Sequence, residues 1–204
     1  MNDITLPYYI SANRLHDLYL IEKKSVSQIA AIFKCSENKI SYWLEKYEIP
    51  KRDISDAVYI RKNPKGDPFS LTMPVNTEEG ILYGLGLGLY WGEGAKRGTG
   101  GMRITNSDLK MLIIFIDFLE KFLGIDRKKL RFSTQIHNDV SAVMALRYWS
   151  EGLNVNRNQF YKTQILKTRG KGTYKNKSKY GSVILYLNNV KLKKLLCNLI
   201  EKTQ

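Results

Sequence analysis

Hydrophobic and polar positions along this chain follow two periods, and the switches between them mark its elements. Residues 12–52 show helical spacing three times. Leu15, Leu18 and Tyr19 predict a helix over 12–23, and Val26, Ile29, Ala30 and Phe33 a second over 25–33. Ile40, Trp43, Leu44 and Tyr47 predict a third over 37–47, with Ser36 as its N-cap. Ala30 is small at the point where the third helix must cross the second. Residues 53–75 then lose periodicity and contain Pro64, Gly66, Pro68 and Pro74, which reads as a semi-extended linker.

The longest apolar run follows, Gly80-Ile-Leu-Tyr-Gly-Leu-Gly-Leu-Gly-Leu-Tyr-Trp-Gly-Glu-Gly94. Asn76 or Thr77 can cap a helix there, Glu78 and Glu79 suit its first turn, and Gly94 is placed to end it in a left-handed conformation. Four internal glycines (Gly84, Gly86, Gly88, Gly92) each cost about 1 kcal/mol relative to alanine, so packing must compensate. Gly84, Gly88 and Gly92 are four apart and drift only about 40° per step, leaving a bare groove for another helix backbone. The run is too short for a membrane span, which needs ~20 residues. It is no dinucleotide loop either, because the third glycine is missing and no strand precedes it.

Beyond Gly94 the period changes. A turn through Gly98–Gly101 leads to a strand with Met102 and Ile104 on one face and Arg103 and Thr105 on the other. Residues 108–122 predict an amphipathic helix ending at Gly124. Residues 130–137 alternate, with Leu130, Phe132 and Ile136 inward and Arg131, Ser133, Gln135 and His137 outward. Residues 140–152 predict a helix with Val143, Leu146 and Trp149 inward. Residues 159–167 and 181–187 predict strands, and 190–202 a last helix carrying Cys197 as core. The fold class expected is therefore α+β, a curved antiparallel sheet with helices on one face over 76–204, preceded by a small all-α domain over 1–52.

The charge is distributed along the chain in a way that its composition alone does not show. The net +14 is divided unevenly: residues 1–78 hold 11 Lys/Arg against 10 Asp/Glu, whereas residues 79–204 hold 22 against 9. So lopsided a charge points to a polyanion partner for the second part. Lys162, Lys167, Arg169, Lys171, Lys175, Lys177 and Lys179 form a basic stretch without an acid, interleaved with Tyr161 and Tyr174. Phosphate contact is the reading favoured over a solvated loop. Cys35 and Cys197 stand apart with no metal-ligand spacing, and the polar N-terminus has no signal pattern, so a reducing, cytoplasmic setting is expected. His16 and His137 are too isolated for a zinc site, and His137 reads as a polar strand position.

Glu93 faces the negative end of its helix dipole, which typically costs about 0.3–1 kcal/mol. Two such helices packed through their glycines would bring two Glu93 carboxylates together, and a divalent cation with oxygen ligands would relieve their repulsion.

Leu85-Gly-Leu-Gly-Leu-Tyr-Trp-Gly-Glu-Gly94 resembles the signature helix of the LAGLIDADG homing endonucleases. The motif's small positions fall on Gly88 and Gly92 and its acid–glycine pair on Glu93 and Gly94. Gly86, Leu87 and Trp91 occupy less demanding positions, and the acid is Glu rather than Asp. The resemblance implies a saddle-shaped sheet lying in the major groove of double-stranded DNA and dimerisation through Gly84, Gly88 and Gly92. One motif implies a homodimer. It further implies Mg²⁺ or another divalent cation held by Glu93, with Asn106, Lys110 and Lys162 as accessory catalytic groups. Lys96, Arg97, Arg103, Arg131, Ser133, Gln135, Lys167, Arg169, Lys171, Lys175 and Lys177 would contact DNA. Residues 12–52 resemble the helix-turn-helix of bacterial regulators and recombinases, which would aim Asn38, Lys39, Ser41 and Tyr42 at bases and phosphates. A three-helix interaction module is the plainer alternative. For the whole chain the alternative to a nuclease is a non-cleaving transcriptional regulator with a degenerate LAGLIDADG fold. A maturase of the same fold, binding structured RNA, is a third reading.

Overall fold

The structure, a computed structural model, describes residues 10–166 and 178–202 and divides into two compact units, 1–68 and 69–204. In the first unit α1 (Ala12–His16) opens into a wider turn over Asp17–Ile21, where the Glu22 amide reaches back to the Asp17 carbonyl. The single helix expected over 12–23 is thus two pieces. α2 (Val26–Ile32) starts at Ser25 with a capping box closed by Gln28, and α3 (Glu37–Lys46) starts at Ser36, whose hydroxyl accepts the Lys39 amide. Ile10, Leu15, Leu18, Tyr19, Ile29, Ala30, Ile40, Leu44 and Ile49 form the core of this unit. The Tyr47 hydroxyl ties α3 to the Ile10 carbonyl at 2.6 Å. A further helix, α4 (Ile54–Lys62), lies in the stretch expected to be an extended linker.

In the second unit, α5 (Thr77–Glu93) is capped by Asn76, whose side chain accepts the Glu79 amide, while Glu79 accepts the Val75 amide in return. The strand β1 (Met102–Asn106) leads to α6 (Leu109–Leu123), which starts at the Asp108 carboxylate and ends at Gly124 in the left-handed region. β2 (Arg131–His137), α7 (Ala142–Gly152), β3 (Gln164–Leu166), β4 (Ser182–Leu187) and α8 (Val190–Glu201) complete it. One core joins Leu87 and Tyr90 of α5, seven residues of α6 from Leu112 to Leu123, Trp149 of α7 and Leu192 of α8 with the inward positions Met102, Ile104, Phe132, Ile136, Val183 and Leu185.

The sheet order is β1-β4-β2-β3. β4 is antiparallel to both β1 and β2, but β3 runs parallel to β2, so the sheet is mixed rather than wholly antiparallel. The cause is α7, which lies between β2 and β3 in the chain and serves as the crossover a parallel pair requires. Two other expectations shift. The strand expected over 159–167 is, among its described residues, confined to the three of β3, and its start belongs to a short helical turn (Arg157–Gln159). Val143 is exposed, because Ala145 and Trp149 set the inward face of α7.

Candidate nucleic-acid interface and the end of α5

The glycines of α5 do two different jobs. Gly86 is buried against α6, where a Cβ would collide with the Phe118 ring. Tyr83 packs edge-on to Phe118 and Phe122, and Tyr90 stacks on Phe115, so Tyr83, Gly86 and Tyr90 define the α6-facing side. Burial pushes the Tyr90 phenol well above its ordinary range. Gly84, Gly88 and Gly92 lie on a different side, with nothing within 4 Å of a Cβ built on any of them. Ile81 (58 %), Leu85 (48 %) and Trp91 (51 %) are exposed alongside. Among the described residues no side chain fills this groove.

Glu93 is exposed at the helix end. Gly94 does not adopt the expected left-handed conformation; its backbone is extended (φ −75°, ψ 141°). The chain passes straight into sheet pairing, Gly94 opposite Ile104 and the Ala95 amide on the Arg103 carbonyl at 3.0 Å. Glycine is needed at 94 because a Cβ would meet the Tyr90 ring. Glu93, the last residue of α5, immediately precedes Gly94, which pairs with Ile104 of β1. Asn106 itself is engaged: its carbonyl oxygen accepts the Asp108 amide at 2.8 Å and its amide nitrogen lies 3.3 Å from the Met111 sulfur. Lys110 and Lys162 are both exposed. Lys96 turns back so that its ammonium donates to the Trp91 carbonyl, closing the last turn of α5, and Arg97 is exposed on the loop beyond.

The outer face of the sheet carries a cross-strand row. Arg103 of β1 stands in register with Tyr186 of β4, and Tyr186 with Arg131 of β2. Tyr161 meets Tyr186 edge-on at 5.8 Å. The Arg131 guanidinium folds onto the carbonyls of Lys128 and Leu130, at 2.7 and 2.9 Å. Gln135 donates to Gln164 across β2 and β3 at 2.8 Å. Ser133 departs from its expected role: although its strand position faces outward, it is only 1 % exposed, covered in mid-sheet beside its register partner Ile184. Lys167, Arg169, Lys171, Lys175 and Lys177 lie outside the described residues.

On α3, Asn38 and Tyr42 are exposed and Lys39 and Ser41 half-exposed. Lys46 lies over the Trp43 ring at 4.6 Å, which holds a cation beside Tyr42. Sequence reading missed Tyr186, whose alternation within residues 182–187 was the available signal. It also missed Lys193 of α8, which is buried and whose only signal was the phase of that helix.

Among the described residues no cluster of three or more His, Cys, Asp or Glu could hold a metal ion, and no helix is long and apolar enough to cross a membrane. No family model, curated protein or solved structure matches this chain.

Proposed function

We propose that the chain is a double-stranded DNA endonuclease of the LAGLIDADG homing type, working as a homodimer through α5 with a divalent cation. The observation that carries this reading is α5 itself. It is a 17-residue helix with one face of bare glycine and exposed apolar side chains, ending on an exposed carboxylate. A second copy laid on Ile81, Gly84, Leu85, Gly88 and Gly92 would cover that face and offset the helix propensity the glycines forgo.

Among the described residues one protomer offers Glu93 and no cluster of three or more His, Cys, Asp or Glu, so in this reading the cation site is completed where two copies meet. A carboxylate at a helix end, where main-chain carbonyls also emerge, is the hard oxygen donor set that suits Mg²⁺. Bound there, Mg²⁺ would lower the pKa of a water and stabilise the attacking and leaving oxygens. The chain's own part is to hold and orient. Glu93 of each protomer supplies the anionic ligand. Arg103 and Arg97 set phosphates in register and Tyr161 and Tyr186 form a platform beside Arg103, while Arg131, engaged on the Lys128 and Leu130 carbonyls, braces the start of β2. Lys110 and Lys162 are exposed ammonium groups for the backbone near the cut. The saddle in the major groove and a helix-turn-helix contact by Asn38 and Tyr42 belong to the same reading, as does a cytoplasmic setting.

A non-cleaving regulator of the same fold is favoured by one observation. The Asn106 side chain, an accessory catalytic group of the nuclease reading, is already engaged on Asp108 and Met111. Cleavage of a randomised duplex library in Mg²⁺ separates the two. The nuclease cuts a defined subset and its Glu93→Gln variant does not; the regulator selects a subset by binding and cuts none. Preferential retention of structured RNA over every duplex would turn the reading towards a maturase.

A further inference from the structure

The turn that follows α5 is fastened by a lysine with no role in the reading above. Lys193, in the first turn of α8, is only 6 % exposed. Its ammonium donates to the Gly98 carbonyl and lies 3.5 Å from the Arg97 carbonyl. Among the described residues no carboxylate pairs with it. A buried ammonium held by neutral carbonyls is a costly choice beside Leu192 and Leu196, where an apolar side chain would pack freely. The same loop is fixed again at Gly101. A Cβ there would meet the Asn189 amide nitrogen and the Leu187 carbonyl oxygen, each at 2.5 Å. The loop from Arg97 to Gly101 is therefore held at two points on the corner between β4 and α8, and it carries the exposed Arg97 immediately beyond the helix that ends at Glu93.

We propose that Lys193 is a positioning residue: it fastens the 97–101 loop so that Arg97 is presented as an ordered cation to a nucleic-acid phosphate. This rests on the DNA reading above. An arginine on a fixed loop loses less conformational freedom on contact than one on a mobile loop, so binding is strengthened without a new contact. The buried charge also raises the positive potential under the turn without occupying its surface.

The test uses the full chain, with Lys193→Met and Arg97→Ala made singly and together. Trypsin cuts after Lys96 and Arg97 only when the loop opens. The wild type should resist cutting there, Lys193→Met should be cut about tenfold faster, and Arg97→Ala should stay protected at Lys96. A mixed-sequence duplex is then titrated at several salt concentrations. Arg97→Ala should weaken binding and lower the salt slope by about one unit. Lys193→Met should weaken binding comparably although it removes no exposed charge, and the double variant should be no weaker than Arg97→Ala. Unchanged cutting in Lys193→Met overturns the fastening. An opened loop with unchanged binding, or losses that add in the double variant, overturns the positioning role. If Lys193→Met fails to fold by thermal melting, Lys193→Gln, which keeps a donor but falls short of the carbonyls, is judged by the same two readouts. A wild type that binds no duplex at low salt removes the DNA reading and this role together, while the cutting result still decides whether Lys193 fastens the loop.

Discussion

Gly86 of α5 and Phe118 of α6 meet with no space for a methyl group between them. Among Gly84, Gly86, Gly88 and Gly92, Gly86 alone has its absent side chain used by the second unit's own core, so it separates the fold's needs from those of any partner. Gly86→Ala should destabilise the isolated chain by about 1–3 kcal/mol, the usual range for overpacking, despite alanine's better helix propensity. Chemical denaturation measures it. A variant as stable as the wild type would mean that α6 can draw back at no cost.

Gly88 is the counterpart, with nothing outside its own helix within 4 Å of a Cβ built there. Gly88→Leu should leave the protomer folded and even gain helix propensity, yet abolish self-association, because the side chain stands where two backbones must approach. Sedimentation checks this on DNA and free in solution. An unchanged dimer would remove the glycine face from the interface.

The α5 start is sensitive to acid. Glu79 accepts the Val75 amide at 2.9 Å and pairs with Lys121 at 3.0 Å, and these interactions, the Val75 bond first, hold its carboxyl below the ordinary range. A depressed folded-state pKa contributes stability above the unfolded value, near pH 4.3, and loses it as pH falls through the folded value. The stability difference between the wild type and Glu79→Gln should therefore be constant from about pH 7 to 5 and shrink below about pH 4. A difference that grows on acidification would reverse the sign of this argument.

Arg103 and Arg131 flank Tyr186 in register but differ in freedom. The Arg131 guanidinium is spent on two backbone carbonyls, whereas Arg103 is exposed. Arg103→Ala should lower the salt slope of duplex binding by about one unit. Arg131→Ala should also disturb the chain around Lys128 and Leu130, visible as a lower melting temperature. Equal effects of both on melting would deny the distinction.

How far these features could be read from residues alone depends on whether the signal was local. Asn76, Ser36 and Gly124 mark helix ends through short-range capping, and the structure places ends there. α4 escaped notice because its half-buried residues Val58, Tyr59 and Ile60 are contiguous rather than spaced by turns. The parallel pairing of β3 is a decision of α7's path, which no strand pattern records. Spacing grouped Gly84, Gly88 and Gly92 correctly as one face, but could not tell that Gly86 was the glycine pressed against α6. Lys193 sits in a mixed run of lysines and leucines, where only the phase of α8 separates a buried lysine from a solvated one.

Glu93 is the residue on which the proposed function turns. It is exposed, it lies at the unfavourable end of a helix dipole, and it follows directly on the last glycine of the open face. Glu93→Gln keeps its size and removes its charge, so repulsion at the helix end, and between two copies, relaxes. The variant should be at least as stable as the wild type and bind duplex as well or better, with one negative charge fewer per protomer. Strand cleavage in Mg²⁺ should nonetheless fall by orders of magnitude, because activation of water goes with the ligand that holds the ion. Ca²⁺, an oxygen-seeking cation of the same charge, should tighten duplex binding by the wild type and not by the variant. The paired measurement decides between the two readings. Wild-type cleavage by Glu93→Gln places the chemistry elsewhere in the chain, and a wild type that binds a selected duplex, ignores Ca²⁺ and never cuts is a regulator.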